Sequence, residues 1–308
     1  MYWTINQRMN RIIGKIKGKN KGPLVLLVGG VHGNEKESLK ALDRVFERIS
    51  KEALDIHGEI VGIRGNEQAI QKNQRYQDYD LNRCFTVSHL QYLRSENARH
   101  NKAEDYEAIE LMRILDEYAQ LDYPIKILVD LHTTSAARGN FVIVPEFYAS
   151  HNVVEALQLP VIVNLENFLK GTLSVYSCDE GFLGMAFEGG QIGSAEAVDL
   201  HEAGIWNILL ASGAVKGLDK TFADKCSHIL SQQADGLPGK VKVNSMHMVH
   251  EGSNFNMNPG YYNFKKVERG EPLASDKNGE IVCPQDGMIF MPLYQKQGND
   301  GFFIIEEA

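Results

Sequence analysis

Cysteine is scarce in this sequence, and the cysteines lie far apart. The 308 residues contain four of them, Cys84, Cys178, Cys226 and Cys283, and no CxxC pair. This density is too low for a scaffold held together by disulfide bonds. The pattern predicts reduced thiols and a cytoplasmic protein.

Long apolar runs and an excess of positive charge are also absent. The longest apolar run, residues 23–31, is far shorter than the roughly 18 residues of a membrane span, so we predict a buried strand there and no membrane association. Lysine and arginine number 32 against 40 aspartates and glutamates, which gives a net charge of −8 with histidine neutral. Such a chain lacks the basic face that binds phosphate backbones, and we expect no nucleic-acid partner.

The composition is that of a folded globular protein, with 43% hydrophobic and 23% charged residues. Positive charge is concentrated at the start, where residues 1–22 carry six lysines and arginines and no acid. The apolar cluster among them is much shorter than the apolar core of a secretory signal. We expect instead a solvated hairpin at a sheet edge that turns at residues 20–23.

Short apolar strands alternate with amphipathic helices over the first two thirds of the chain, which is typical of an α/β fold with a largely buried sheet. The predicted strands are residues 24–30, 59–64, 125–131, 141–144, 161–163 and 183–188, and the predicted helices are residues 35–50, 103–120 and 194–212. A Gly/Pro cluster at residues 235–239 ends this pattern, and short β-type segments follow. We predict an α/β domain of residues 1–236 and a β-rich sandwich or barrel of residues 237–308.

The most informative segment is VGGVHGNE, at the end of the first predicted strand. It places His32 and Glu35 three residues apart after a glycine turn, at the carboxyl edge where ligands of α/β sheets gather. A second strand ends in DLHTT, which brings His132 to the same edge with Asp130 as an orienting neighbour. Two histidines and a carboxylate suit a catalytic zinc ion with a coordination position left for water. We therefore predict one zinc ion per chain, although each histidine taken alone is more commonly a hydrogen-bonded loop residue.

Between these strands lies the polar segment RYQDYDLNRCF, residues 75–85. Arg75 and Arg83, with Asn82, offer the forked donors that bind a carboxylate, and one of the arginines could stabilise charge on a carbonyl oxygen. The alternative is a solvated loop in which Asp78 and Asp80 form salt bridges with these arginines. The segment alone leaves both interpretations open.

Glu188 ends the apolar strand MAFEGG, where a carboxylate costs free energy unless something pairs with it. Beside a metal it is a candidate general base, since burial and neighbouring charges tune its proton affinity. The competing interpretation is a phosphate cradle formed by the glycines that follow it and the next helix. The segment has neither GxGxxG nor a GK[ST] ending, which disfavours the cradle.

Together these segments resemble the succinylglutamate desuccinylase/aspartoacylase family, zinc amidohydrolases related to the zinc carboxypeptidases. GGVHGNE, GN followed by RYQDYDLNRCF, DLHTT and FEGG occur in the family's order and at about its spacing, over most of the chain. RxxDxDLNRxF is the most specific of them, because plain carboxypeptidases share the metal ligands without it. The resemblance implies a zinc-carboxypeptidase-like mixed sheet flanked by helices, with a small β-rich C-terminal domain capping the active-site cleft.

The resemblance also implies a role for each candidate residue. The implied roles are zinc ligation by His32, Glu35 and His132, acid/base catalysis by Glu188, polarisation of the scissile carbonyl by Arg75, binding of a substrate carboxylate by Asn82 and Arg83, and support of the loop by Asp80. Aspartoacylase carries a further substrate-binding arginine shortly before its catalytic glutamate, and this sequence lacks it. Arg138, soon after His132, is a candidate replacement.

The expected activity is zinc-dependent hydrolysis of the amide bond of an N-acyl amino acid or a similar small acylated amine. A zinc carboxypeptidase acting on peptides is the nearest alternative, and a protein that binds zinc or a ligand without catalysis is another. RxxDxDLNRxF disfavours the carboxypeptidase, while intact Glu188 and Arg75 disfavour a binding protein, which needs no base beside its metal. The acyl group, the amine and the oligomeric state stay open, a homo-oligomer included.

Overall fold

The computed structural model describes residues 11–135 and 139–308, and most of their strands form one large sheet. The strands are β1 (Ile12–Lys17), β2 (Asn20–Gly29), β3 (Asp55–Arg64), β4 (Lys126–Thr134), β5 (Phe141–Ile143), β6 (Val161–Val163), β7 (Leu183–Gln191), β8 (Val215–Lys216), β9 (Lys240–Met248), β10 (Asn256–Met257), β11 (Lys265–Val267), β12 (Pro272–Asp276), β13 (Gly279–Val282), β14 (Gly287–Phe290) and β15 (Asp300–Glu307). The helices are α1 (Glu37–Lys51), α2 (Glu67–Lys72), α3 (Val87–Arg94), α4 (Ala103–Ala119), α5 (Asn152–Glu155), α6 (Leu173–Asp179), α7 (Ala195–Ala211) and α8 (Lys220–Gln233), with 3-10 turns at Leu81–Arg83, Glu146–Tyr148 and Leu165–Asn167. None of the described helices has the length and apolarity to cross a bilayer.

The large sheet is mixed. Its strand order is β1-β3-β2-β4-β7-β5-β6-β9-β15-β14-β11, and β8 pairs with β3 outside this path. Strands β3, β2, β4 and β7 are parallel, β5 is antiparallel to β7, and β6 is parallel to both β5 and β9. A separate three-stranded sheet has the order β10-β12-β13. The predicted fold class, a mixed sheet flanked by helices with a β-rich C-terminal part, is confirmed.

Strand β2 shows how the sheet is covered on both faces. Its residues 24–28 are fully buried. Because side chains alternate along a strand, Val25 and Leu27 pack on one face with residues of α1 and α7, while Leu24 and Leu26 pack on the other with residues of α4. A parallel strand that is buried on both faces has an uninterrupted apolar sequence. The apolar run of residues 23–31 therefore predicted this strand correctly.

The predicted N-terminal hairpin is wrong. Residues 20–23 form the first part of β2 rather than a turn, and β1 pairs antiparallel with β3 at the sheet edge. Lys15 and Lys17 of β1 lie 3.0 and 3.6 Å from carboxylate oxygens of Glu59 in β3. These ion pairs favour the pairing of β1 with β3. The turn-forming residues 20–23 gave no information about this pairing, because its partner is distant in sequence. Residues 1–10 of the basic segment lie outside the described residues.

The C-terminal strands continue the large sheet. Strand β9 pairs in parallel with β6, and β15, β14 and β11 follow it in antiparallel order. Phe303 and Ile305 of β15 share a buried cluster with Phe141 and Ile162 from the first two thirds of the chain. The division into domains at residue 236 stays a prediction.

Three parallel neighbours carry the candidate site residues to one edge of the sheet. The carboxyl ends of β2, β4 and β7 lie side by side. His32 follows β2, His132 lies near the end of β4, and Glu188 is directly opposite His132 in β7. The strand register therefore brings together segments that are far apart in sequence.

Gly33, in the loop after β2, lies against the backbone of α2. A Cβ atom on Gly33 would lie 2.1 Å from the carbonyl carbon of Ala69 and 2.3 Å from the nitrogen of Ile70, which no side-chain rotation relieves. We predict that Gly33→Ala lowers the free energy of unfolding by about 1–3 kcal/mol, as overpacking does, in urea denaturation. Gly239→Ala is the matched control, because a Cβ there meets nothing within 4 Å. Equal stability of the two variants would contradict the prediction.

Candidate metal centre and active site

Two imidazole rings converge on one buried carboxylate. His32 Nδ1 lies 2.8 Å from Glu35 Oε1, and His132 Nδ1 lies 3.1 Å from Glu35 Oε2. The backbone N–H of Thr133 donates to Glu35 Oε2 at 2.8 Å. Candidate donor atoms of the three side chains all lie within 4.8 Å of one another, and all three residues are buried. The structure thus brings His32, Glu35 and His132 together, as a shared metal ion requires.

Glu35 stays ionised in this position. Burial acts to raise the pKa of its carboxyl, but the charge of His32 and hydrogen bonds with His132 and His32 outweigh burial and hold the pKa well below its usual range. A carboxylate must be deprotonated to bind a metal ion. The pocket therefore presents Glu35 in the form that a ligand needs.

A second carboxylate stands behind each imidazole ring. His32 Nε2 lies 3.2 Å from Asp80 Oδ1, and His132 Nε2 lies 2.8 Å from Asp130 Oδ2. Such contacts fix the orientation and the protonated nitrogen of a histidine, so that the other nitrogen is free to bind a metal. In both rings that other nitrogen is the Nδ1 atom that faces Glu35.

Arg75 lies beside the same carboxylates. Its Nη2 donates to Asp80 Oδ2 at 3.0 Å, its Nε to the same oxygen at 3.2 Å, and its Nη1 to Glu35 at 3.5 Å. Burial opposes ionisation of Asp80, but the charges of Arg75 and His32 hold its pKa well below the usual value. The side chains of Arg75 and Asp80 are only 10% and 14% exposed, so this ion pair belongs to the pocket rather than to a solvated loop surface.

The loop that carries Arg75 and Asp80 is held by Glu104, a residue that the sequence analysis missed. Glu104 is fully buried at the start of α4. Its carboxylate accepts the backbone N–H groups of residues 77–79 at 2.8 to 3.3 Å and the side-chain amide of Asn66 at 3.0 Å. An acid in the first turn of a predicted helix is so common that it gave no signal of this contact.

Asn82 uses its whole side-chain amide within the protein. Its Nδ2 lies 3.3 Å from Asp130 Oδ2 and 3.1 Å from His132 Nε2, and its Oδ1 accepts the N–H of Leu173 at 2.8 Å. Asn82 therefore joins Asp130, the carboxylate behind the ring of His132, to the start of α6 as well as lining the cavity. Its role toward a substrate carboxylate stays a prediction.

Arg83 forms an ion pair with Asp300, which lies at the start of β15. Asp300 is the second residue that the sequence analysis missed. Its Nη2 donates to Asp300 Oδ2, and its Nη1 donates to the carbonyl oxygen of Asn82 at 2.6 Å. Asp300 is 217 residues away in sequence, and no motif surrounds it. Arg138, the other predicted substrate-binding arginine, lies outside the described residues.

Glu188 lines the cavity that contains the three candidate ligands and Arg75. Burial raises the pKa of its carboxyl to about 7, and the charge of Glu35 adds to the rise, while His132, His32 and Arg75 act against it. A carboxyl group with a pKa near neutrality can both accept and return a proton at physiological pH. The arrangement suits acid/base chemistry.

Two N–H groups that a phosphate cradle after Glu188 could use have partners within the protein. The N–H of Gly190 donates to Asn140 Oδ1 at 2.6 Å. At the start of α7, the N–H of Ala197 donates to Ser194 Oγ at 3.0 Å. These two donors are therefore not available to a phosphate, which disfavours this alternative.

Away from its polar end, the cavity has apolar walls. Part of the wall comes from β5 and the segment after it, and part from the segment that contains the 3-10 turn Leu165–Asn167. Val175 of α6 and Ala186 of β7 add to it, and the C-terminal part of the chain contributes Met291, Pro292 and Leu293, with Asp300 nearby in the lining. Both parts of the chain therefore shape the space in which a substrate would bind.

Comparisons with known proteins point to one family. The family description "Succinylglutamate desuccinylase/Aspartoacylase catalytic domain" matches residues 21–210. A succinylglutamate desuccinylase of Pseudomonas fluorescens (strain Pf0-1) is 33% identical over 124 residues, which are 40% of this chain and 34% of that protein. A probable aspartoacylase of Parasynechococcus marenigrum (strain WH8102) is 32% identical over 148 residues, which are 46% of this chain and 45% of that protein. The alignments thus span less than half the length of these two relatives.

A solved structure extends the similarity to the whole fold. The crystal structure of a succinylglutamate desuccinylase/aspartoacylase from Rhodobacter sphaeroides matches with a TM-score of 0.65 at 20% identity, over 96% of this chain and 88% of that chain. The catalytic-domain match includes all three candidate metal ligands, Arg75 and Glu188. Because it also spans more than half of the 308 residues, this chain belongs to the succinylglutamate desuccinylase/aspartoacylase family.

Proposed function

We propose that this protein is a zinc-dependent deacylase that hydrolyses the amide bond of an N-acyl amino acid or a similar small acylated amine. The observation that carries the proposal is the meeting of His32, Glu35 and His132 with Glu188 in one buried cavity. Family membership supports the reaction class. The four cysteines are free thiols, which supports a cytoplasmic location.

His32, Glu35 and His132 would hold the zinc ion. Imidazole nitrogen and carboxylate oxygen are ligands that zinc prefers, and three protein ligands are the usual number at a catalytic site. The donor atoms are close enough to share one ion, and Asp80 and Asp130 orient the two rings. When bound there, zinc supplies Lewis acidity, which polarises a carbonyl group and lowers the pKa of water.

Glu188 would move the proton of the reaction. Its carboxylate takes a proton from the attacking water and later delivers it to the amine that leaves, so that the glutamate returns to its starting form. Burial, which raises the pKa of this carboxyl, favours its holding the proton between the two steps.

Arg75 would stabilise the negative charge that develops on the carbonyl oxygen. Its guanidinium group lies at the polar end of the same cavity and is fixed by Asp80. Because the donors are oriented before the substrate arrives, little reorganisation is needed in the transition state.

Replacing the proposed base tests the reaction. We predict that Glu188→Gln keeps the zinc content of the wild-type protein and lowers kcat for a cleaved N-acyl amine by about 10²- to 10⁴-fold, the usual contribution of a positioned base. Glu47→Gln, an exposed site on α1, is the control. Substrates are acetyl, succinyl and formyl amino acids, with dipeptides to test for carboxypeptidase activity. Near-normal turnover by Glu188→Gln would remove this residue from the mechanism.

Metal analysis tests the ligand set. We expect about one zinc ion per chain in the purified wild-type protein and much less in His132→Ala, because two remaining ligands hold zinc weakly. His228→Ala, at an exposed position of α8, should keep the wild-type content. Treatment with a chelator should abolish hydrolysis, and added zinc should restore it. Full zinc content in His132→Ala would overturn the assignment of this ligand.

The contacts of Glu104 predict an effect on catalysis from outside the cavity. Glu104→Gln replaces one carboxylate oxygen with an NH2 group, so at least one loop N–H loses its acceptor, and we expect a stability loss of about 1–3 kcal/mol. Because the loop carries Arg75, we expect a larger fold-change in kcat than in KM. The zinc content should stay the same. Glu110→Gln on the same helix is the control. If Glu104→Gln and the control have equal kcat, Glu104 does not position Arg75.

A further inference from the structure

His201, in the middle of α7, is a fully buried histidine that the proposed reaction does not use. Its Nε2 lies 3.0 Å from the backbone carbonyl oxygen of His132, and its Nδ1 lies 2.7 Å from that of Ala197. The ring therefore connects α7 to β4, the strand that carries a candidate zinc ligand. His132 is contacted at its backbone by His201 and at its ring by Asp130.

We propose that His201 is a positioning residue for the zinc site: its Nε2–H donates to the carbonyl oxygen of His132 and holds this ligand opposite Glu188. This inference rests on the proposed zinc-dependent function. It gives a role in that function to α7, which contributes no described residue to the lining of the metal cavity.

The pairing of β4 with β7 is irregular at this point. His132 is opposite Glu188, and Thr134 is opposite Gln191, so β7 contains one more residue than β4 over this interval. Such a β-bulge interrupts the regular ladder of backbone hydrogen bonds. A donor from outside the sheet is stabilising here, because a buried carbonyl group without a partner costs free energy.

The two glycines after Glu188 leave space for the ring of His201. Gly190 lies within the bulge and has a φ of +83°, a conformation that residues with a Cβ atom rarely adopt. A Cβ atom on Gly189 would lie 3.0 Å from Cε1 and 3.1 Å from Nδ1 of His201, so a side chain there would press on the ring. The FEGG segment therefore has a structural reason for its glycines that involves no phosphate.

A neutral imidazole can donate only one N–H, and two carbonyl groups face this ring. Burial lowers the pKa of His201, so the ring is neutral. The carbonyl of Ala197 lies four residues earlier in α7 and also accepts the backbone N–H of His201 in the helical pattern. The carbonyl of His132 lies at the bulge, and we therefore assign the proton to Nε2.

Zinc affinity tests the role of this hydrogen bond. His201→Leu replaces the ring with an apolar side chain that has no donor. We expect the dissociation constant for zinc, measured by competition with a chelating indicator, to rise by about 10- to 100-fold, the usual effect of losing a partner of a ligating histidine. At saturating zinc, kcat should also fall, because the spacing between His132 and Glu188 is no longer fixed.

Two conservative substitutions separate positioning from packing. The amide N–H of glutamine can reach the position of Nε2, whereas the shorter asparagine reaches only the position of Nδ1. We expect His201→Gln to keep a zinc affinity close to that of the wild-type protein. His201→Asn should lose affinity as His201→Leu does.

Asn207→Leu is the matched control on the same helix. Asn207 is buried, its side-chain amide donates to the carbonyl oxygen of Ala156 at 2.9 Å, and neither residue lines the metal cavity. Loss of this donor should lower the melting temperature of the protein, because it leaves a carbonyl group without its partner. The zinc affinity of Asn207→Leu should equal that of the wild-type protein.

The metal-free protein provides a readout that needs neither zinc nor turnover. Nitrogen NMR of the histidine side chains distinguishes a ring nitrogen that carries a proton from one that does not. The signals of His201 are those that disappear in His201→Leu. We expect the proton on Nε2.

The outcomes separate this inference from the proposed function. Wild-type zinc affinity in His201→Leu, equal affinities of the glutamine and asparagine variants, or a proton on Nδ1 would each overturn the inference, even if the protein hydrolyses amides. If the variants behave as expected but no acylated amine is hydrolysed, the deacylase proposal fails and the role of His201 stands. A wild-type protein that binds no zinc would contradict both. If His201→Leu does not fold, the glutamine and asparagine variants decide the inference.

Discussion

The burial of one ionised carboxylate, that of Glu35, is the constraint on which this edge of the sheet depends. A buried charge is tolerated only when hydrogen bonds and opposite charges surround it. The partners of Glu35 come from separate parts of the chain: His32 from its own loop, His132 and Thr133 from β4, and Arg75 from the loop after α2. Satisfying Glu35 therefore also assembles the groups that chemistry at this site would use.

The carboxylates that surround the candidate ligands also need partners. Asp130 is buried and Asp80 is only 14% exposed, and imidazole rings and donors face both, while four N–H groups point at the buried Glu104. The hydrogen bonds that compensate for the burial of each carboxylate also hold its neighbours in fixed positions. Preorganisation of this kind is what electrostatic catalysis needs, since oriented groups do not have to rearrange when charge develops.

The sequence could predict interactions between residues that are close together in the chain, but not those between distant residues. The buried run of β2 and the spacing of His32 and Glu35 are local, so the fold class and a candidate metal site were visible, although the roles of the residues stay predictions. The pairing of β1 with β3 was not visible, because it brings Lys15 to Glu59 across an intervening strand and helix. Contacts at long sequence separation leave no periodic pattern, and the same holds for Glu104 and Asp300.

The pairing of β9 with β6 gives the C-terminal part of the chain a direct place in the cavity. Because β15 lies next to β9, its first residue, Asp300, reaches Arg83 in the loop that also carries Arg75. The candidate metal ligands and Glu188 come from the carboxyl ends of β2, β4 and β7, whereas part of the cavity wall comes from the C-terminal part of the chain. A change in the C-terminal part can therefore alter the shape of the cavity without disturbing the candidate ligands.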